Sequence, residues 1–391
     1  MRLEPLPYHV AVADYLERME PELWKWFRSD AFAEKYRQAT EVDLLRTAIR
    51  LERTGPNERR YALAETARDR LELTQPITLY QMQQSEGAPN AFLVFKPDEI
   101  AIAFAGRILE LLVTDAELLD LLGHEISHFK LFKEQDGRFH TVDRLLIWLL
   151  RRDNCPAEFG ETWRRNRLFT EIYCDIGGLV AAGDRDATIR GLVKSIADFK
   201  DADAESYLKQ ARELLAMGPG ATRGLTHPEL HVRVLAIAAA SDDKMERPVF
   251  HALLDTLITG KVELGNLDLV DQQRLTALTR RVLDRVLSAK GVASDEALAH
   301  ARQMFPDYVL PACGAAPLPD ATAALAASSI DYLCYVLIDL GAFEGVGSTS
   351  AMTAAASAAN ELGIGARFRE IARLELKGRR TLLSALVSRA A

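Results

Sequence analysis

Between Pro76 and Ala105 the sequence leaves the helical rhythm that runs through most of the rest, and this interval limits what the chain can fold into. PITLYQMQ alternates apolar and polar residues, AFLVF is a short β-prone run, and EIAIAF follows a Lys-Pro-Asp turn, so three short strands are expected. On either side, apolar residues recur at three- and four-residue spacing, the pattern of amphipathic helices. A helical lead-in covers 1–75, with a break near Thr54-Gly55-Pro56. Helices resume at Gly106, and Thr114-Asp115 is the expected N-cap of the helix carrying LLDLLGHEISHFKLF. The expected class is mainly α with a small β-sheet.

A chain of 391 residues is too long for one ordinary hydrophobic core. The polar stretch SDDKMERP, from Ser241 to Pro248, marks a boundary. The expected organisation is an N-terminal helical region (1–75) packed on a central domain (76–242), followed by an all-α domain (248–391). In the last of these, Leu275, Leu278, Val282 and Val286 form one amphipathic stripe. An Ala/Pro/Gly-rich stretch from Pro311 to Ala327 parts two helical halves, and Ala351 to Ala359 reads as a close-packed helix.

Charge excludes some functions. With 48 basic and 56 acidic residues the net charge is -8, and no dense Lys/Arg run is present to follow a phosphate backbone, so nucleic acid is not an expected partner. The opening residues carry prolines and acids where an export signal needs a continuous apolar run. The apolar run Leu145 to Leu150 is far shorter than the roughly 20 residues of a membrane span. A cytoplasmic protein without membrane insertion is expected, its oligomeric state left open. The four cysteines (Cys155, Cys174, Cys313, Cys334) form no CxxC pair and read as mostly buried thiols in a reducing compartment.

The chemistry concentrates in His124-Glu125-Ile126-Ser127-His128. Positions i and i+4 share one helix face, so His124 and His128 can offer two imidazole nitrogens to a single ion. Glu125, one step round the helix, stands beside the ion rather than on it and can take a proton from a zinc-activated water. A catalytic zinc normally takes three protein ligands. The metzincin spacing fails, because Leu131 and Glu134 stand where it needs a glycine and a histidine. The gluzincin spacing fits: Glu171 is the expected third ligand, and Asp175, one turn on, can hold a ligating histidine by its other nitrogen. Two carboxylates one turn apart on an otherwise apolar helix are costly to bury unless something positive sits between them. His140, beyond a turn expected at Asp136-Gly137, reads as a surface histidine. Cys174 reads as core packing, turned away from the Glu171 face.

These residues resemble the metallopeptidase family that includes HtpX, the CAAX prenyl proteases and the OMA-type proteases, family forty-eight of the peptidases. The likeness is carried by Asn90-Ala91-Phe92, DAELLDLLGHEISH, Glu171 to Asp175 with the following GGLVAAG, and Thr226-His227-Pro228 with Arg233. It spans about 76–240 and leaves the C-terminal part uncovered. The resemblance implies that Asn90, Ala91 and Phe92 lie on an edge strand that binds substrate as an added strand. It also implies that His227 helps stabilise the oxyanion and that Arg233 braces the carboxylates of the site. Many relatives carry membrane helices that this chain lacks, so a soluble branch is expected.

The reading is a zinc metalloendopeptidase acting on protein or peptide, with one ion per chain, bound by His124, His128 and Glu171. One alternative is a catalytically silent regulatory or binding module that keeps the zinc. Another is a small-molecule hydrolase, which would cover the Asn90-Ala91-Phe92 strand and close the cleft into a pocket.

Overall fold

The computed structural model describes residues 3–83, 89–198, 200–218, 220–312, 314–343 and 348–385; Cys313 lies outside them. The chain divides into two compact units, Met1–Gly260 and Lys261–Ala391.

The first unit opens with α1 (Pro7–Met19), α2 (Pro21–Phe27) and α3 (Asp30–Thr47). Strand β1 (Ala48–Arg50) follows, then α4 (Pro56–Arg70), β2 (Ile77–Met82), β3 (Asn90–Lys96) and β4 (Glu99–Ala105). The three expected strands are present. β1 is not an expected element: the backbone turns extended at Ala48, and three residues pair antiparallel with β2 inside what reads as a helical lead-in. So short a run hardly disturbs a helical periodicity.

The strand order is β1-β2-β4-β3, with β2 and β4 parallel and β3 antiparallel to β4. Ile100 to Phe104 are fully buried, as a central strand covered on both faces requires. Ala101 and Ala103 pack with Tyr80, Leu44 and Ala48 on one face. β3 is an edge.

Beyond the sheet come α5 (Ile108–Leu111), α6 (Asp115–Leu150), α7 (Ala157–Ala182), α8 (Arg185–Ala197), α9 (Ala204–Ala216), α10 (Leu230–Ala240) and α11 (Arg247–Leu254). Thr114 is the N-cap of α6, in a capping box with Glu117, whose carboxylate also takes the Lys194 ammonium at 2.7 Å. α6 is two helices. Glu134 is extended, and Gln135, Asp136 and Gly137 are left-handed, so the turn expected at Asp136-Gly137 is there. The N-terminal helices brace this break: Arg138 binds Asp14 and Glu17 of α1, and Arg28 binds Asp136.

α7 is pressed against α6 through glycines. A Cβ at Gly177 would lie 2.6 Å from the Ser127 Cβ, and one at Gly178 would lie 2.9 Å from the Asp120 carbonyl oxygen. Such contacts leave no room for a side chain, so Gly177-Gly178 sets the distance between the two helices that carry the motif residues.

The second unit is all-α, with α12 (Leu269–Leu287), α13 (Asp295–Met304), α14 (Ala327–Ala342), α15 (Ser348–Glu361), α16 (Gly365–Glu375) and α17 (Arg380–Ala385). Val282 and Val286 of the stripe are fully buried in its core. α15 is the expected close-packed helix, with Ala351, Ala355, Ala358 and Ala359 fully buried. Among the described residues, no helix is long and apolar enough to cross a membrane.

Candidate metal centre

The roll of α6 follows from its apolar stripe. Leu118, Leu122, Ile126 and Phe129 are buried, which turns His124 and His128 into a cleft with their ring centroids 5.2 Å apart. From α7, Glu171 closes the set: its Oε2 lies 3.5 Å from His124 Nε2 and its Oε1 3.7 Å from His128 Nε2.

Asp175 Oδ1 is 3.0 Å from His124 Nδ1. A proton on Nδ1 satisfies that contact and leaves the Nε2 lone pair facing Glu171. Arg233, from α10, donates Nε to Asp175 Oδ2 at 2.8 Å and Nη2 to Oδ1 at 2.6 Å, and its Nη2 lies 3.7 Å from Glu171 Oε2. His227 Nε2 lies 3.5 Å from Glu171 Oε2, and Thr226 Oγ1 lies 2.9 Å from His227 Nδ1. Every residue that the sequence nominates for the metal and its support therefore converges on one point.

Glu171 Oε2 is buried and has no hydrogen-bond partner. An orphaned carboxylate oxygen facing two imidazole nitrogens is a donor set short of a cation, and N, N, O is a set that zinc accepts. The electrostatics agree. Burial by itself would raise the Glu171 pKa, but His124, His128 and Arg233 outweigh it and hold the carboxyl well below the usual carboxylate range. Burial would lower His124, yet Asp175 and Glu171 push it up to about 10. The same anions would attract a cation. Burial brings His128 down to about 4 and pushes Glu125 up to about 7.

Asn90, Ala91 and Phe92, together with Leu93, form one wall of the cleft, whose volume is about 750 Å³ and which also contains Glu125, His227 and Arg233.

Two expectations fail. Cys174 does not turn away: a ligand set of His124, His128 and Cys174 has all its donor atoms within 4.8 Å of one another. Three residues along a helix amount to about 300°, which returns the side chain to the flank of the Glu171 face. Its thiol is fully buried, and burial, with Glu171, Glu125 and Asp175 around it, pushes its pKa well up. Glu171, 3.5 and 3.7 Å from the two histidines, and Cys174 thus both stand beside the histidine pair. His140 is half-buried, with its Nε2 enclosed. Its ring centroid lies 4.3 Å from that of Phe95 and 5.4 Å from that of Phe132, because the left-handed turn folds the chain back toward β3. Of the other thiols, Cys334 is buried and Cys155 half-buried.

Sequence reasoning passed over Asp120 and Arg167, which also line the cleft. Each stands one helical turn before a motif residue, Asp120 before His124 and Arg167 before Glu171, and that spacing is the signal that could have found them.

Residues 56–149, which include β3, His124, Glu125 and His128, match the family model described as Peptidase family M48. No curated protein and no solved structure matches the chain. That segment is therefore similar to peptidase family M48, a family of metallopeptidases.

Proposed function

We propose that the chain is a zinc-dependent endopeptidase that holds one zinc ion through His124, His128 and Glu171. The observation that carries this reading is the buried, unbonded Glu171 Oε2 at 3.5 Å from His124 Nε2. When bound, the ion supplies Lewis acidity, lowering the pKa of water and polarising a peptide carbonyl.

The chain supplies the rest. Glu125, nearly buried and one step round the helix from both histidines, is the general base and then the acid that returns the proton to the leaving amine. His227 is half exposed at the cleft and is placed to donate from Nε2 to the oxygen that gains charge. Asp175 and Arg233 fix the His124 ring. β3 is a sheet edge, and an extended peptide can pair with it through main-chain hydrogen bonds while Asn90, Ala91 and Phe92 meet its side chains. An open cleft bordered by such an edge favours a peptide over a small molecule, and Glu125 has no task in a silent zinc module.

Casein cleavage and metal content of wild type and Glu125→Gln test this reading. Glu125→Gln should keep its metal and lose at least about 100-fold in rate. Equal cleavage by both proteins overturns the role of Glu125. A wild type that carries zinc and cleaves nothing replaces the endopeptidase with the silent module.

A further inference from the structure

The cleft runs along α6 from Asp120 and Leu121 at one end to Leu131 and Phe132 at the other, about 16 Å by helical rise. α7 lies along it in the opposite sense: Asp175 meets His124 toward the first end, and Arg167, two turns earlier, lies toward the second. The two ends differ in chemistry. Ile108, Leu192 and Ile196 line the first beside Asp120, while Asp143, Arg144 and Arg167 line the second.

Arg144 already neutralises Asp143, donating its Nε to Oδ2 at 2.9 Å. Arg167 Nη1 reaches only to 3.9 Å from the other oxygen, too far for a hydrogen bond. Its Nε is buried without a hydrogen-bond partner, although a third of the side chain is open to solvent. The Trp163 ring, 5.6 Å away, lies against the guanidinium. The second end of the cleft therefore holds one cation more than it has anions, next to a metal-site histidine.

We infer that Arg167 binds a carboxylate of the substrate, on the His128 side of the bond that is cut. A planar guanidinium with a third of its side chain open to solvent matches a carboxylate better than any neutral group. That carboxylate belongs either to an acidic side chain or to the peptide's own C-terminus, and both present the same chemistry. The inference rests on the endopeptidase reading and narrows its substrates.

The test uses the full chain and one cleavable peptide, varied to Glu, Gln or Lys at each of three positions on either side of the bond, with free and amidated C-termini. Wild type should prefer Glu to Lys about tenfold or more in kcat/KM at one position. Arg167→Glu should invert that ratio, and Arg167→Lys should keep its direction, which a merely misfolded variant would not do. A preference that follows the free terminus, and is lost in Arg167→Glu, assigns the carboxylate to the chain end. An unchanged Glu-to-Lys ratio in Arg167→Glu overturns the inference. Binding of the same peptides to Glu125→Gln, read by fluorescence anisotropy, separates the two failures. If wild type cleaves nothing but the charge preference in binding still inverts with Arg167→Glu, the endopeptidase reading fails and the carboxylate site stands; if neither cleavage nor binding responds, both fall.

Discussion

Asp175 Oδ1 lies 3.0 Å from His124 Nδ1, and Arg233 grips both oxygens of the same carboxylate. One acid thereby orients His124 on α6 while a cation on α10 holds the acid. Asp175→Asn keeps the shape and removes the charge, so zinc affinity should fall about 10- to 100-fold. Competition with a chromophoric chelator measures this, and an unchanged dissociation constant would show that His124 needs no such partner.

Gly178, three residues beyond Asp175, packs on the Asp120 main chain, where an added Cβ would meet the carbonyl oxygen at 2.9 Å. Gly178→Ala should force α6 and α7 apart, costing about 1 to 3 kcal/mol of stability and weakening zinc retention together. Urea denaturation of the metal-free protein reads the first effect and metal content the second. Full stability in the variant would mean that the helices can part without cost.

His9 gives the first unit a sensitivity to acid. It is fully buried, accepts from the Leu6 N–H and contacts Thr170, and burial brings its pKa down to about 3. The unfolded chain binds a proton near pH 6.5 that the folded chain refuses, so stability falls as pH drops below 6.5 and continues to fall toward pH 3. Between pH 7 and pH 5 the wild type should lose about 2 kcal/mol more than His9→Gln. Denaturation midpoints in chelator at the two pH values give this difference directly, and parallel losses in both proteins would place the acid sensitivity elsewhere.

Much of the site could be read from the sequence because helical geometry converts spacing into direction. His124 with His128 needed only the i, i+4 rule, and Glu171 with Asp175 needed the gluzincin spacing as well; the strand needed only its texture, while its place at the sheet edge was implied by the family resemblance. The misreadings have physical causes too. His140 is three residues past a left-handed turn, whose direction no periodicity reports, so its packing on Phe95 could not be foreseen. Arg167 was passed over although it stands one helical turn before Glu171 and lines the cleft. Cys174 was legible and misjudged, since a step of three residues stays beside the face it starts from.

Metal content by mass spectrometry, on wild type, Glu171→Ala and Cys174→Ala purified alike, tests the central claim most directly. Wild type and Cys174→Ala should each carry about one zinc per chain, and Glu171→Ala should carry almost none. Zinc retained by Glu171→Ala but lost from Cys174→Ala would move the third ligand to the thiol, and a wild type without stoichiometric zinc would contradict the metal centre itself.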